Sequence, residues 1–363
     1  MKALVFGPRV WLRIAIKVTV LLFIFNALFG IFNLTPVITS VNAYGTLAPY
    51  RTRLVDPDDI GNQFMPLEVL LKAHEISRPK KDNEFRVIFL GNSGILGAGN
   101  PDNATIEAQI TASGQTLRGK HIVAYNLAHE ASSIMRDFLI ADAALAYKPD
   151  LIVWCVSLGD FRYDNLNPMI AFNAQRMTML TQQLGLTGLA AQSYGHFSKT
   201  WWNQSFWEQR TVLYRWLRLE TYLPVHRYIY QTIAPGIIQQ FPVPKEPVLM
   251  ADDPVFTPMP GPTWDVLTGL TKLTDAPVMI VSEPMYIVQD NPANYNVEFS
   301  RALYDQYRTT LSQYCQQHNL WCIDMWDAVP AGEYTDSDFH RTPAGNAIIA
   351  TKIIQETQSV LGK

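Results

Sequence analysis

Five short apolar runs rich in β-branched residues punctuate the chain: RVIFLG from Arg86, IVAYN from Ile122, LIVWCV from Leu151, PVMIVSE from Pro277 and WCIDMW from Trp321. They are nearly continuous in apolar residues, so each predicts a strand covered on both faces. Between them the period lengthens. Ile134, Phe138, Ala141 and Leu145 recur at helical spacing, with Ser132 or Ser133 as the cap and Pro149 beyond the end. Phe299 to Gln317 and Ala344 to Val360 predict two more helices. Strand and helix in alternation imply an α/β fold, and right-handed crossovers leave few topologies. The expectation is a three-layer α/β/α sandwich on a five-stranded parallel sheet of flavodoxin-like order 2-1-3-4-5. Function should then collect at the carboxyl ends of the strands: after Leu90, Tyr125 and Val156, and in the loop before the last helix.

The amino-terminal pattern is of another kind. Val18 to Leu34 carries no charge, and with Ile14 to Lys17 it reaches about 20 residues, the length that crosses the roughly 30 Å of a bilayer core. Lys2, Arg9, Arg13 and Lys17 lie before or at its start, and no further basic residue follows until Arg51. This asymmetry predicts a cytoplasmic amino terminus and a globular part outside. A retained anchor is favoured. Its rival is a cleaved signal peptide, for Val41-Asn42-Ala43 has the look of a cleavage site but sits about ten residues past the apolar run.

Phe161 to Pro262 separates the third predicted strand from the fourth and carries Trp201, Trp202, Phe206, Trp207, Trp216, Tyr222, Tyr228 and Tyr230. It reads as a helical insertion that lids the site, lies against the membrane interface, or forms a small core of its own. The prolines of 241–262 mark a linker back to the sheet. The expected division is 1–40, cytoplasmic tip and anchor; 41–85, linker and leading helix; 86–160 and 263–363, the two parts of the α/β domain; and 161–262, the insertion.

Composition narrows the function. The chain has 363 residues, 48% hydrophobic, enough for a sizeable core, and a net charge of -3 without a basic stripe, which argues against nucleic acid. Cys155 reads as a small core residue. Cys315 and Cys322 stand seven apart across a helix-to-strand turn, as a disulfide of an exported protein or as two free thiols. No metal-ligand spacing occurs, so no metal or other cofactor is expected. Gly91 to Gly97 matches neither G-x-G-x-x-G nor a P-loop, which leaves nucleotide binding a weak reading.

Candidate chemistry stands at two distant places. In Gly91-Asn92-Ser93-Gly94 a buried run turns abruptly through small residues, which would expose Ser93 at the sheet edge as a nucleophile or, more plainly, as a helix cap. In EYTDSDFHRTPAGN, from Glu333, His340 follows Asp336 and Asp338 on the loop before the last helix. A serine nucleophile needs a base titrating near neutrality, and that imidazole needs a carboxylate to fix its tautomer. The predicted topology returns His340 to the neighbourhood of Ser93.

Gly91-Asn92-Ser93 with Gly97, then Asn126-Leu127, then Pro149-Asp150-Leu151, and finally the Asp-rich turn with His340 together resemble the SGNH/GDSL hydrolases over about 86–160 and 277–360. The resemblance implies hydrolysis or transfer of acyl esters, with catalytic Ser93 and His340 and either Asp336 or Asp338. Asp336 is preferred because Thr335-Asp336-Ser337 matches the family's lead-in. It also implies an oxyanion site built from Ser93, Ala131, Ala128 and Gly159. Departures are plain: Asn92 stands where Asp is usual, Ala128 and Ala131 replace glycines, and Ser157-Leu158-Gly159-Asp160 lacks the third block's asparagine, a contact that Asn165 or another residue of the insertion would have to supply.

The expected function is a membrane-anchored acyl esterase or O-acyltransferase acting on ester groups of cell-surface glycans or lipids. Its partners would be the lipid bilayer, through residues 14–34, and an acyl ester substrate. The alternative is a catalytically degenerate binding or accessory protein for a membrane O-acyltransferase.

Overall fold

The computed structural model describes residues 7–55, 65–161, 169–170, 173–186, 200–222, 225 and 263–362. Asn165, Tyr228, Tyr230 and the stretch 241–262 lie outside them. The strands are β1 (Glu84–Leu90), β2 (Thr116–Leu117), β3 (Lys120–Asn126), β4 (Leu151–Val156), β5 (Val278–Ser282) and β6 (Trp321–Asp324). The α-helices are α1 (Pro8–Ile31), α2 (Leu34–Ile38), α3 (Leu67–Ala73), α4 (Ser93–Leu96), α5 (Ile106–Ala112), α6 (Ile134–Ala144), α7 (Ala174–Gln183), α8 (Phe206–Leu217), α9 (Asp265–Leu273), α10 (Arg301–Gln317) and α11 (Pro343–Leu361).

The sheet is six-stranded and mixed, in the order β2-β3-β1-β4-β5-β6. Every pair from β3 to β6 is parallel, whereas β2 runs antiparallel to β3. The expected five-stranded, wholly parallel sheet is corrected at that edge. Thr116 and Leu117 fold back on Lys120 and His121 through Arg118 and Gly119, both at positive φ. Two residues are too few to leave a periodic signal.

β1, β4 and β5 are buried at every position, so helices cover both faces. α5 and α11 pack together on one side, and α6 packs with α3 and α9 on the other. Ser133 caps α6 by accepting from the Arg136 N–H, and Thr342 caps α11 by accepting from Gly345. Cys315, near the end of α10, and Cys322, in β6, are joined by a disulfide, while Cys155 is free and buried. α1 is long and apolar enough to cross a membrane, and within it only Phe29 and Gly30 are buried.

The first described parts of the insertion do not form a core of their own, for Met169, Ile170, Met177 and Leu180 join the hydrophobic core of the α/β domain. Arg176 of α7 bonds Asp142 of α6 and Glu68 of α3, whereas α8 lies against α1 and α2 with Trp201, Trp202, Phe206 and Trp207 exposed.

Candidate active site

β1 delivers the first group. Beyond Leu90 the chain turns at Gly91, and the Asn92 side chain accepts from the Gly94 N–H at 2.8 Å, capping the single turn of α4 with Ser93 as its first residue. Gly94 is required by close approach. A Cβ there would stand 2.6 Å from both the Glu283 carboxylate and the Phe339 carbonyl, so only glycine lets the loop before α11 dock directly behind Ser93.

That loop delivers the second group. It is closed by a bridge between Tyr334 and Arg341, and the Thr335 N–H donates to the His340 carbonyl at 2.9 Å. The tie folds Asp336 back on His340. Asp336 Oδ1 lies 2.8 Å from His340 Nδ1, and His340 Nε2 lies 2.9 Å from Ser93 Oγ. The Thr335 hydroxyl donates to the same Asp336 oxygen at 3.0 Å. Burial raises the Asp336 pKa, but the hydrogen bond and charge of His340, with Thr335, outweigh it and hold the carboxyl below its ordinary value. An ionised carboxylate can only accept, so Nδ1 carries the proton and Nε2 is left to accept from the Ser93 hydroxyl. The His340 side chain is 18% exposed, so the chain of three groups reaches the solvent.

Asp338, the other carboxylate considered, is turned to different company. It is 3% exposed, makes no hydrogen bond to His340, and faces Glu298. Burial, reinforced by the Glu298 charge, pushes its pKa up to about 7. His129, the histidine of the second motif, is fully buried, and burial beside Arg136 lowers its pKa to about 3. It is neutral at physiological pH and is no base for Ser93.

The oxyanion candidates divide. Ala131 is held at φ 58°, the left-handed region, where its motif has glycine. The N–H groups of Ala131 and Ser93 meet no hydrogen-bond acceptor among the described residues. The Ala128 N–H, by contrast, donates to the Asn126 side chain at 3.1 Å and is not free for a ligand. Asn126 in turn donates to the Ile95 carbonyl at 3.0 Å, binding the end of β3 to α4. Gly159 brings no side chain, and a Cβ there would make ordinary contact with Ser132 at 3.6 Å. Asp160 accepts from both the N–H and the hydroxyl of Ser157 and so shapes the turn after β4.

Two buried ion pairs that sequence reasoning missed fix these loops. Arg341, next to His340, donates to Glu283 Oε1 from both Nη1 and Nη2 at 3.1 Å, and Asn92, next to Ser93, donates to Glu283 Oε2 at 2.6 Å. One carboxylate after β5 thus grips the neighbours of both Ser93 and His340. Burial raises the Glu283 pKa to about 7 against the pull of Arg341 and Asn92. On the other side Arg136, paired with Asp137, donates to the carbonyls of Glu130, Ala131 and Gly91 at 2.6, 2.7 and 3.2 Å, joining the Ala131 turn to the Ser93 turn. A glutamate just past an apolar run was the only signal available for Glu283. Among the described residues no group of three or more His, Cys, Asp or Glu side chains could hold a metal.

No protein-family profile matches the sequence, and no curated protein is similar to it. Solved structures align with it at low identity. A psychrotrophic esterase from a Pseudoalteromonas species is 9% identical, with a TM-score of 0.38 over 77% of this chain and 100% of its own. A catalytic mutant of an acetylxylan esterase from Geobacillus stearothermophilus is 12% identical, with a TM-score of 0.35 over 75% and 93%. A protein of the G-D-S-L lipolytic family from Desulfitobacterium hafniense is 11% identical, with a TM-score of 0.35 over 75% and 99%. The solved structures to which this chain is similar include esterases and a G-D-S-L lipolytic protein.

Proposed function

We propose that this protein is a serine-dependent acyl esterase or O-acyltransferase, held at a membrane by α1, with Ser93 as nucleophile, His340 as base and then acid, and Asp336 as the orienting carboxylate. The observation that carries the reading is the unbroken hydrogen-bonded chain from Ser93 through His340 to Asp336, assembled from residues 247 apart in sequence.

The chemistry follows from the geometry. His340 Nε2 takes the hydroxyl proton as Ser93 Oγ bonds to the acyl carbon, and Asp336 stabilises the imidazolium. The carbonyl electron pair moves onto oxygen, where the unpartnered N–H groups of Ser93 and Ala131 receive it. Collapse expels the alcohol, which takes the proton from His340. Water or an acceptor hydroxyl then attacks acyl-Ser93, losing its proton to His340, and collapse breaks the acyl–Oγ bond as His340 returns that proton to Ser93. Gly159 offers no side-chain donor, and one such donor contributes about 2.7 to 4 kcal/mol, so turnover should be slow.

The ester groups of surface glycans or lipids fit the setting. α1 is long and apolar enough to span a bilayer, the basic residues before it favour a domain on the outer side, and the Cys315–Cys322 disulfide suits an oxidising compartment. The bare Gly159 position favours one other reading, a non-catalytic partner of a membrane acyltransferase. An activated acetyl ester separates the two. A burst of alcohol stoichiometric with the protein, absent in Ser93→Ala, is expected of the enzyme, and hydrolysis no faster than in Ser93→Ala would leave the accessory protein.

A further inference from the structure

α1 does not stand alone. Phe206, the first residue of α8, packs edge-on against Phe25 and Phe29 of α1, with ring centroids 5.4 and 5.7 Å away. Trp201 meets Phe23 at 6.4 Å and Trp202 at 5.7 Å. The Trp207 N–H donates to the Asn26 side chain at 2.8 Å, which satisfies a polar group in an apolar helix. Contact is closest at Gly30, where a Cβ would stand 1.9 Å from the Trp201 carbonyl. At its other end α8 is tied to the segment that follows α1. Trp216 Nε1 donates to the Val41 carbonyl at 3.2 Å, and the Tyr44 hydroxyl donates to the Leu219 carbonyl at 2.8 Å.

What this packing leaves open is apolar. Trp201, Trp202 and Trp207 are 43%, 45% and 56% exposed, and Leu28, Ile31 and Phe32 at the end of α1 are exposed as well. Its depth is set by α1. Asn26 lies six residues before Phe32, and at 1.5 Å per residue that places the start of α8 about 9 Å below the point where the helix ends. A bilayer spanned by α1 would meet these indoles at the boundary of headgroups and acyl chains, where Trp concentrates and where interfacial helices bury about 5 to 10 Å. The segment from Phe206 to Arg218 has three arginines and one glutamate, a balance suited to anionic headgroups.

We infer that residues 200–217 form a second membrane contact, an aromatic collar that seats in the outer leaflet beside α1 and, through Val41 and Tyr44, fixes the tilt of the α/β domain over the bilayer. The inference rests on reading α1 as a membrane span. Its partner is the lipid surface itself, and a second copy of this chain or another membrane protein is the competing occupant.

The test uses the full chain in vesicles of phosphatidylcholine with a minority of phosphatidylglycerol, with or without bromine on the upper acyl chains. Brominated lipid should quench part of the tryptophan emission, and W201F/W202F/W207F should lose most of that quenching while still sedimenting with the vesicles. Should the triple variant misfold, Trp202→Phe and Trp207→Phe singly should each lose a share. Unchanged quenching in vesicle-bound variants would overturn the collar and leave the face to a protein partner. A parent chain washed off the vesicles by alkali would overturn the span and the collar together.

Discussion

His340 has one partner on each ring nitrogen, and the identity of its carboxylate is decided by loop closure rather than by distance along the chain. The tie from Thr335 to the His340 carbonyl brings Asp336 under Nδ1 and sends Asp338 inward to Glu298. Asp336→Asn should therefore lower turnover on the order of 10^3- to 10^4-fold, through the wrong tautomer, with little effect on substrate binding. Asp338→Asn should leave turnover within a few-fold and act on stability instead. The Asp338 pKa rises on folding from 3.8 to about 7, so the folded protein holds a proton that the unfolded chain releases, and stability falls as pH rises through that window. Thermal melts of Asp338→Asn should accordingly show its largest gain near pH 8 and little below pH 4. Asn92 rewards a similar test. An aspartate there would put a second carboxylate against Glu283, so Asn92→Asp should lose stability at pH 8 and recover much of it at pH 5, where the pair keeps an extra proton. Glu283→Gln, which strands buried Arg341, should cost about 3 to 5 kcal/mol. Ser93, His340 and Asp336 were legible because nucleophile, base and carboxylate have few chemical substitutes. Glu283, Arg341 and Arg136 were not, because a buried ion pair in sequence looks like any charged residue near a strand end.

Among the elements, the five predicted strands were readable as nearly continuous apolar runs, and β1, β4 and β5 are buried at every position, whereas β3 is partly and β6 only half-buried toward the sheet edges. β2, with two residues, and α5 and α9, at seven and nine, were not, since so short a segment completes too few turns or pleats for a period to show. α8 was visible as an aromatic helix, but its partner was not. An apolar face reads the same whether it meets a core, a site or lipid, and only the packing on Phe25 and Phe29 distinguishes them. The disulfide joins α10 to β6 near the start of that strand, away from the carboxyl ends where Ser93 and His340 sit. Its loop is short. Replacing Cys315 and Cys322 with serine should cost about 2 kcal/mol by the loop-entropy estimate, seen as a lower melting temperature, with turnover at low temperature unchanged.

Over the whole molecule, the sheet collects three loops at one edge: the turn after β1 with Ser93, the turn after β3 with Ala131, and the return before α11 with His340. Two buried ion pairs lock them together. The amino-terminal helix and its attached α8 form a separate apolar region. Such an arrangement suits a surface-bound catalyst whose reacting groups are preset rather than induced. An activated Ser93 should react with a fluorophosphonate probe. Mass analysis of the folded, full-length protein after labelling should find a single adduct on the peptide bearing Ser93, lost in Ser93→Ala and strongly slowed in His340→Ala. Failure of the folded parent protein to form an adduct, or an adduct that persists in Ser93→Ala, would mean that Ser93 is not an activated nucleophile.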